Sequence, residues 1–457
     1  MRIDSITVRN FKGFEERTFD LPLSVEAPND TGSFHLLIGE NGSGKTTALD
    51  ALAVALGIWQ VAAPAAGWRS IKPSEVRLIE HRIGDTARFD PAPFSEIEAR
   101  GVIAGSTVAW KRMIRKGGKT TTTREAKEAL GRIARLTDEK GPIFGDLPLP
   151  VLAYYSAGRA WLPARQRNVK TKPDMTKRSR FDAYFNCMDG RINETNVNEW
   201  FMWEKLATAG SGLERTGYRA VKQAVLSCLP DGQDLRFDVD RKEIIITMAS
   251  SSMPFYSLSD GQRAMTAMVA DLAIKSVLLN PQLAGNAALK SPGVVLIDEL
   301  DLHLHPKWQR RVVEDLRRAF PAIQFVATTH SPFIVQTLRP GELVPLDGEA
   351  LGDEYGKLGI EGIAKLMGVA RPEVAPRYAE MVEAAKSYLL ILEEAAIAPD
   401  QQLKAYEAKL AAGLAPYADN PAFQAFLEMK HEAKLGGRRS SGGGSNDAGG
   451  EHKRSEG

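Results

Sequence analysis

The chain has 457 residues and a formal net charge of only +2, so a surface that binds nucleic acid would have to be a local patch. Two cysteines exclude a disulfide framework and a cysteine-based zinc site, and the length predicts two or three domain-sized units. The first residues lack the apolar core of a signal peptide and no segment is apolar for long enough to span a membrane, which favours a soluble cytoplasmic protein.

The N-terminal residues predict a β-hairpin. Apolar side chains alternate over residues 3–8 and return at Phe19 and Leu21, on either side of a glycine-containing turn. Arg9 and Lys12 lie beside this turn, where they would either contact a nucleotide or belong to a solvated turn.

Residues 34–49 (FHLLIGENGSGKTTAL) predict the strand, glycine-rich loop and helix of a P-loop, G-x-x-x-x-G-K-[ST]. The glycines let the backbone curl until successive N–H groups face a phosphate, and the positive end of the helix faces the same charge. Lys45 is expected to reach the β- and γ-phosphates of ATP, and the Thr46 hydroxyl is expected to bind Mg²⁺. The residues expected to hold the nucleotide are Gly39, Asn41, Gly42, Ser43, Gly44, Lys45, Thr46 and Thr47.

The insert that follows the P-loop helix predicts two strands, Phe94–Arg100 and Val108–Ile114, around a glycine-containing turn. A further apolar strand over residues 149–155 ends in 156–159 (SAGR), a position where an α/β ATPase places site residues.

Residues 161–180 are strongly basic, with a single acid, Asp174. Two interpretations remain open: contact with a phosphate backbone, whose affinity would fall steeply with salt, or a solvated flexible loop. The residues after it, 181–229, predict helices, and two paired strands follow within 235–248. The basic residues are Arg165, Arg167, Lys170, Lys172, Lys177, Arg178 and Arg180.

Two later stretches carry site residues. In YSLSDGQR (256–263), Ser259 occupies the N-cap of an apolar helix and Gly261 permits close backbone approach inside its first turn. In GVVLIDELDL (293–302), Asp298 at the strand end suits coordination of Mg²⁺ through water, and Glu299 suits a base that polarises the attacking water. A last buried strand, IQFVATT, ends at His330, which can hydrogen-bond a γ-phosphate.

In this order, the P-loop, LSDGQ, the Asp-Glu pair and the strand-end histidine resemble the motifs of the ABC-type ATPases, from Met1 to about Leu338. The resemblance implies an α/β fold, a P-loop NTPase head of the ABC type with a mixed sheet, flanking helices and an antiparallel β subdomain. It also implies that two heads pair head-to-tail around two ATP molecules. Lys45, Glu299 and His330 would then be catalytic, with Thr46 and Asp298 at the metal. The residues acting in trans would be Ser259, Gly261 and Gln262.

Two features depart from that pattern. Asp260 replaces the first of the two usual glycines of the signature, so its carboxylate must point away from the γ-phosphate. The glutamine of the superfamily's Q-loop has no clear equivalent, since Gln166 lies in the basic stretch; residues 156–159 would hold the equivalent place.

Within the superfamily the chain resembles the SMC, RecF and OLD group, through VRNFKGF (8–14) and DELDLHLHP (298–306). LPLPVLAYYSAGRAW (147–161) with LSDGQR is similar to bacterial stand-alone AAA-type ATPases, among them those of Septu-type antiphage systems and some retrons, where an HNH nuclease is the partner. That subset usually has an aromatic residue at the place of Gln262. A long SMC arm and a Toprim nuclease pattern are both missing from the sequence.

The predicted domains are an ATPase head over 1–340, a helical region over 341–435 and a disordered tail over 436–457. The head would comprise a P-loop lobe (1–66), the insert with the basic segment (67–250) and the lobe of the signature and Asp-Glu motifs (251–340). Three functions remain open. They are an ATP-driven switch in phage defence that binds nucleic acid and controls a nuclease, a RecF-like DNA-repair ATPase without a nuclease partner, and a transport-type ATPase. The large insert and the missing Q-loop glutamine argue against the third.

Overall fold

The computed structural model describes residues 1–22, 32–63, 68–83, 86–140, 145, 147–160, 179–192, 194–346, 355–367, 376–414 and 421–439. The chain divides into two compact units, Met1–Gly368 and Val369–Gly457. The strands of the first unit are β1 (Arg2–Phe11), β2 (Phe14–Asp20), β3 (Phe34–Ile38), β4 (Leu78–Ile83), β5 (Thr86–Pro91), β6 (Phe94–Ile103), β7 (Ser106–Arg115), β8 (Val151–Tyr155), β9 (Gly232–Asp238), β10 (Glu243–Met248), β11 (Ser252–Pro254), β12 (Gly293–Ile297), β13 (Ile323–Thr328) and β14 (Leu343–Pro345).

Helices cover the sheets of the first unit and make up the described part of the second. In the first unit they are α1 (Lys45–Leu56), α2 (Ile58–Ala62), α3 (Lys127–Thr137), α4 (Glu194–Ser211), α5 (Thr216–Cys228), α6 (Asp260–Leu279), α7 (Ala287–Lys290), α8 (Pro306–Gln309), α9 (Val312–Ala319), α10 (Pro332–Val335) and α11 (Ile360–Leu366). In the second they are α12 (Pro376–Ile397), α13 (Asp400–Leu414) and α14 (Pro421–Arg439). Among these described helices, none is long and apolar enough to cross a membrane.

A five-stranded parallel sheet, in the order β14–β3–β13–β12–β8, forms the centre of the first unit. Strands β3, β8, β12 and β13 are buried along their whole length, as expected for a parallel sheet with both faces covered. The carboxyl ends of parallel strands meet at one edge, so the residues that follow these four strands are neighbours there. The α/β P-loop NTPase fold expected from the sequence is confirmed.

A separate antiparallel sheet, β2–β1–β6–β7, contains the N-terminal hairpin that the sequence predicts. The pair Phe11↔Phe14 closes this hairpin. The predicted strands of the insert are also present as β6 and β7. They are joined at Ala104 (φ 51°) and Gly105 (φ 76°), a left-handed pair typical of two-residue hairpin turns. The smaller sheets are β11–β10–β9 and β4–β5.

The described part of the second unit contains three helices around a small apolar core. Tyr388, Leu392 and Ala395 recur at helical spacing on α12 and pack with Leu410 and Leu427. The region predicted to be helical, 341–435, includes the strand β14 of the central sheet, and the described helices of the second unit begin at Pro376. Helix α14 ends at Arg439, so the first residues of the predicted tail are helical, and 440–457 lie outside the described residues.

Candidate nucleotide-binding site

The loop between β3 and α1 has the backbone conformation that the sequence predicts for a P-loop. Gly42 (φ 89°) and Gly44 (φ 100°) lie in the left-handed region, which other residues rarely adopt. A Cβ on Gly44 would lie 2.4 Å from the ring of Phe14, so glycine is also required by the hairpin that supports the loop. The Ser43 hydroxyl is buried and, among the described residues, has no hydrogen-bond partner. These features fit a cradle for phosphate oxygens.

The start of α1 presents the groups that would contact a phosphate. No side chain caps this helix, so no side-chain oxygen would compete with an anion at its N-terminus. The ammonium of Lys45 donates to the carbonyl oxygens of Gly39 (2.6 Å) and Glu40 (2.9 Å), which hold it along the loop. The Thr46 hydroxyl donates to Oδ2 of Asp298 at 2.9 Å. The P-loop is thereby joined to the end of β12, although 252 residues separate the two side chains.

Asp298 and Glu299 follow β12 and differ in their surroundings. Asp298 is buried and its Oδ1 accepts a hydrogen bond from the Thr328 hydroxyl (2.6 Å). Glu299 is partly exposed, its N–H donates to the same hydroxyl (2.7 Å), and its φ is 49°. A hydroxyl and a carboxylate are the oxygen donors that Mg²⁺ uses in proteins beside phosphate oxygens, so Thr46 and Asp298 fit the metal that the P-loop implies.

Arg159 lies in the turn Ala157–Ala160 that follows β8, directly beside this pair. Its two terminal nitrogens donate to the carbonyl oxygens of Asp298 (2.6 Å) and Glu299 (3.0 Å). Burial lowers the pKa of the guanidinium to about 10, while the nearby carboxylates of Asp298, Glu299 and Asp301 oppose that shift. The sequence indicated residues 156–159 as a site segment but did not predict what Arg159 contacts.

Asp301 connects the loop after β12 to the end of β13. Its Oδ1 accepts hydrogen bonds from the hydroxyl of Thr329 (2.5 Å) and from the N–H of His330 (3.1 Å). The His330 side chain is exposed at the sheet edge. Asp301 and Thr328 are site residues that the sequence reasoning missed. Their positions in the motifs could have indicated them, because Asp301 lies within DELDL and Thr328 lies directly before Thr329 in IQFVATT.

The signature residues lie at the start of α6. Ser259 and Gln262 form a capping box, in which the Gln262 side chain accepts from the N–H of Ser259 at 3.2 Å. The carboxylate of Asp260 pairs with Arg263 at 3.2 Å. A Cβ on Gly261 would lie 2.2 Å from the carbonyl oxygen of His303, so the helix packs closely on the loop that follows Glu299.

Of the basic residues singled out in the sequence, Arg180 donates to the carbonyl oxygen of Leu279 (2.8 and 2.6 Å), and the others fall into two groups. Lys12 forms an ion pair with Asp50 of α1, and Arg9 pairs with Glu16 (2.9 Å) and Glu96 (2.7 Å), so both make structural contacts beside the hairpin turn. Residues 161–178, which hold six of the seven basic side chains and Gln166, lie outside the described residues.

Two family models and several known proteins are similar to parts of this chain. A family model described as "AAA domain" matches residues 5–199, and a second AAA-domain model, whose description names the AbiEii toxin and Type IV TA systems, matches 245–336. The chain is 25% identical over 388 residues to "Retron Vc95 probable ATPase" of Vibrio cholerae serotype O1 biovar El Tor, covering 74% of this chain and 72% of that protein.

Two further similarities are more limited. "Septu protein PtuA" of Bacillus mycoides (strain KBAB4) is 36% identical over 161 residues, which cover 35% of this chain and 21% of that protein. A crystal structure of an SMC head bound to the C-winged helix domain of ScpA aligns with a TM-score of 0.45 and 16% identity, covering 76% of this chain and 94% of that one. Two parts of the chain therefore match AAA-domain models, and the chain is similar to retron and Septu proteins.

Proposed function

We propose that this chain binds ATP with Mg²⁺ at the end of β3 and hydrolyses it to ADP and phosphate. The observation that carries the proposal is the 2.9 Å hydrogen bond between the Thr46 hydroxyl and the Asp298 carboxylate. It places a P-loop hydroxyl beside a strand-end carboxylate, the pair of donors that P-loop ATPases use for the metal. The similarity to a retron protein described as a probable ATPase supports the same activity.

Each site residue has a role in this proposal. Lys45, whose ammonium already lies against the loop carbonyls, neutralises phosphate charge. Thr46 and Asp298 would hold Mg²⁺, which would supply further positive charge to the phosphate oxygens. Glu299 accepts a proton from the attacking water on its partly exposed carboxylate, and the exposed imidazole of His330 donates a hydrogen bond to the γ-phosphate.

The proposal extends to a dimer of heads. Ser259, Gly261 and Gln262 occupy the start of a 20-residue helix, where N–H groups and the helix dipole attract an anion. We expect them to contact the γ-phosphate of the ATP that a second copy binds. The ion pair of Asp260 with Arg263 supports this, because it partly neutralises the carboxylate that replaces a glycine.

The proposed biological role is that of an ATP-driven switch in antiphage defence. The chain would sense DNA or another nucleic acid and control a separate HNH-type nuclease. Its relation to retron and Septu proteins supports this role, and the basic composition of 161–180 supports contact with a phosphate backbone.

ATP-dependent assembly tests the activity and the dimer together. Phosphate release and light scattering would be measured for the wild type, Lys45→Ala, Glu299→Gln and a surface control, Glu128→Gln on α3. Glu299→Gln should lose turnover and accumulate an ATP-bound dimer, Lys45→Ala should do neither, and the control should match the wild type. Wild-type protein without ATPase activity would refute the proposal. Turnover stimulated by DNA ends, with no copurifying nuclease, would favour the RecF-like alternative.

A further inference from the structure

Three hydrogen bonds fix the backbone on both sides of the Glu299 α-carbon. Arg159 donates from one terminal nitrogen to the carbonyl oxygen of Asp298 (2.6 Å) and from the other to that of Glu299 (3.0 Å). The N–H of Glu299 donates to the hydroxyl of Thr328 (2.7 Å). The two peptide groups that flank the Glu299 side chain are therefore both held, and the φ and ψ angles of this residue are set by its neighbours.

This tethering matters because Glu299 is in a strained conformation. Its φ is 49°, a left-handed backbone angle that places Cβ too close to the following carbonyl oxygen in any residue other than glycine. Such residues persist only where the surrounding structure holds them. A change of this φ would redirect the carboxylate, which is the group proposed to activate water.

Arginine is suited to this task for geometric reasons. Its planar guanidinium presents parallel N–H groups in a rigid fork, whereas a lysine ammonium is a single point charge on a flexible stem. Arg159 is 6% exposed, and its terminal nitrogens donate to the carbonyl oxygens of Asp298, Glu299 and Ser156, the last at 3.3 Å. The side chain therefore acts through the backbone of its neighbours.

We propose that Arg159 is a positioning residue that holds Glu299 in its left-handed conformation and so aims the carboxylate at the attacking water. The inference rests on the proposed role of Glu299 as the base. In this role the turn that follows β8 contacts the backbone of Asp298 and Glu299 through Arg159.

Arg159→Lys tests this, with Arg112→Lys as the matched control. Arg112 is also a buried arginine that donates to two backbone carbonyls, those of Val54 (2.7 Å) and Arg69 (2.6 Å), and burial lowers its pKa to about 10 as well. Loss of the fork should lower kcat about 100-fold, the scale of a 1 Å misplacement, and leave the Kd for ATP within about twofold. The control should change the melting temperature and leave kcat unchanged.

Hydrogen exchange gives a readout that needs no nucleotide. In Arg159→Lys the amides of 299–302 should exchange faster than in the wild type, and in Arg112→Lys they should not. If the lysine variant does not fold, Arg159→Gln removes the fork without leaving a buried charge and is measured in the same way. Unchanged kcat together with unchanged exchange would overturn the inference. If the amides of 299–302 exchange more slowly in the wild type than in Arg159→Lys, but the wild type does not hydrolyse ATP, the proposed function is refuted instead.

Discussion

Replacing Gly261 with alanine should destabilise the first unit, because the new Cβ would collide with the loop that follows Glu299. The Cβ would lie 2.2 Å from the carbonyl oxygen of His303 and 2.9 Å from its carbon, whereas ordinary contact starts at 3.4 Å. The helix or the loop must therefore move by roughly 1 Å. The loop has little freedom to do so, since His303 itself has a φ of 59°. Overpacking of this kind costs about 1–3 kcal/mol, or about 2–4 °C in melting temperature for each kcal/mol.

The matched control is Gly131→Ala, in the middle of α3, where an added Cβ has no atom within 4 Å. This change should stabilise the protein by about 0.5–1 kcal/mol, since alanine loses less conformational freedom than glycine on forming a helix. Thermal and urea unfolding of both variants, followed by circular dichroism, would measure the difference. If Gly261→Ala melts at or above the temperature of Gly131→Ala, the close packing of α6 on the loop is refuted.

Two further predictions concern Asp301, which is partly exposed, and the buried His35. Asp301→Ala should cost about 1–3 kcal/mol and lower kcat, because the Thr329 hydroxyl and the His330 N–H lose their acceptor; Asp301→Asn, which keeps an acceptor oxygen, should recover most of both. Equal effects of the two changes in ATPase and melting assays would contradict this. Burial lowers the pKa of His35 to about 4, so the unfolded chain binds a proton more readily and stability should fall as the pH drops from about 6.5 towards 4. His35→Asn should remove that part of the slope of melting temperature against pH, and an unchanged slope would contradict the assignment.

The sequence predicted the motifs but not the contacts between them, because the residues in contact lie far apart along the chain. The P-loop is one continuous stretch whose glycines and helix pattern are recognisable without a fold. Arg159 could not be linked to Glu299, because that contact depends on β8 lying beside β12 in the pairing Tyr155↔Ile297. Had the strand order been known, Arg159 and Glu299 would have been expected at the same edge of the central sheet. Likewise, the sequence predicted the N-terminal hairpin but gave no sign that Phe14 packs under Gly44.

The loop over residues 298–303 is the element on which these contacts converge. Its first residue accepts from Thr46 of the P-loop, its second accepts from Arg159, its fourth accepts from the N–H of His330, and its last packs on Gly261 of α6. Two of its residues have left-handed backbone angles, so the loop cannot change at one point without strain at another. A shift of the α6 start should therefore alter the geometry of Asp298 and Glu299, the proposed metal ligand and base, in the same chain. Residues that act through one element in this way should show non-additive effects on kcat, which a double-mutant cycle of Gly261→Ala and Arg159→Lys would measure.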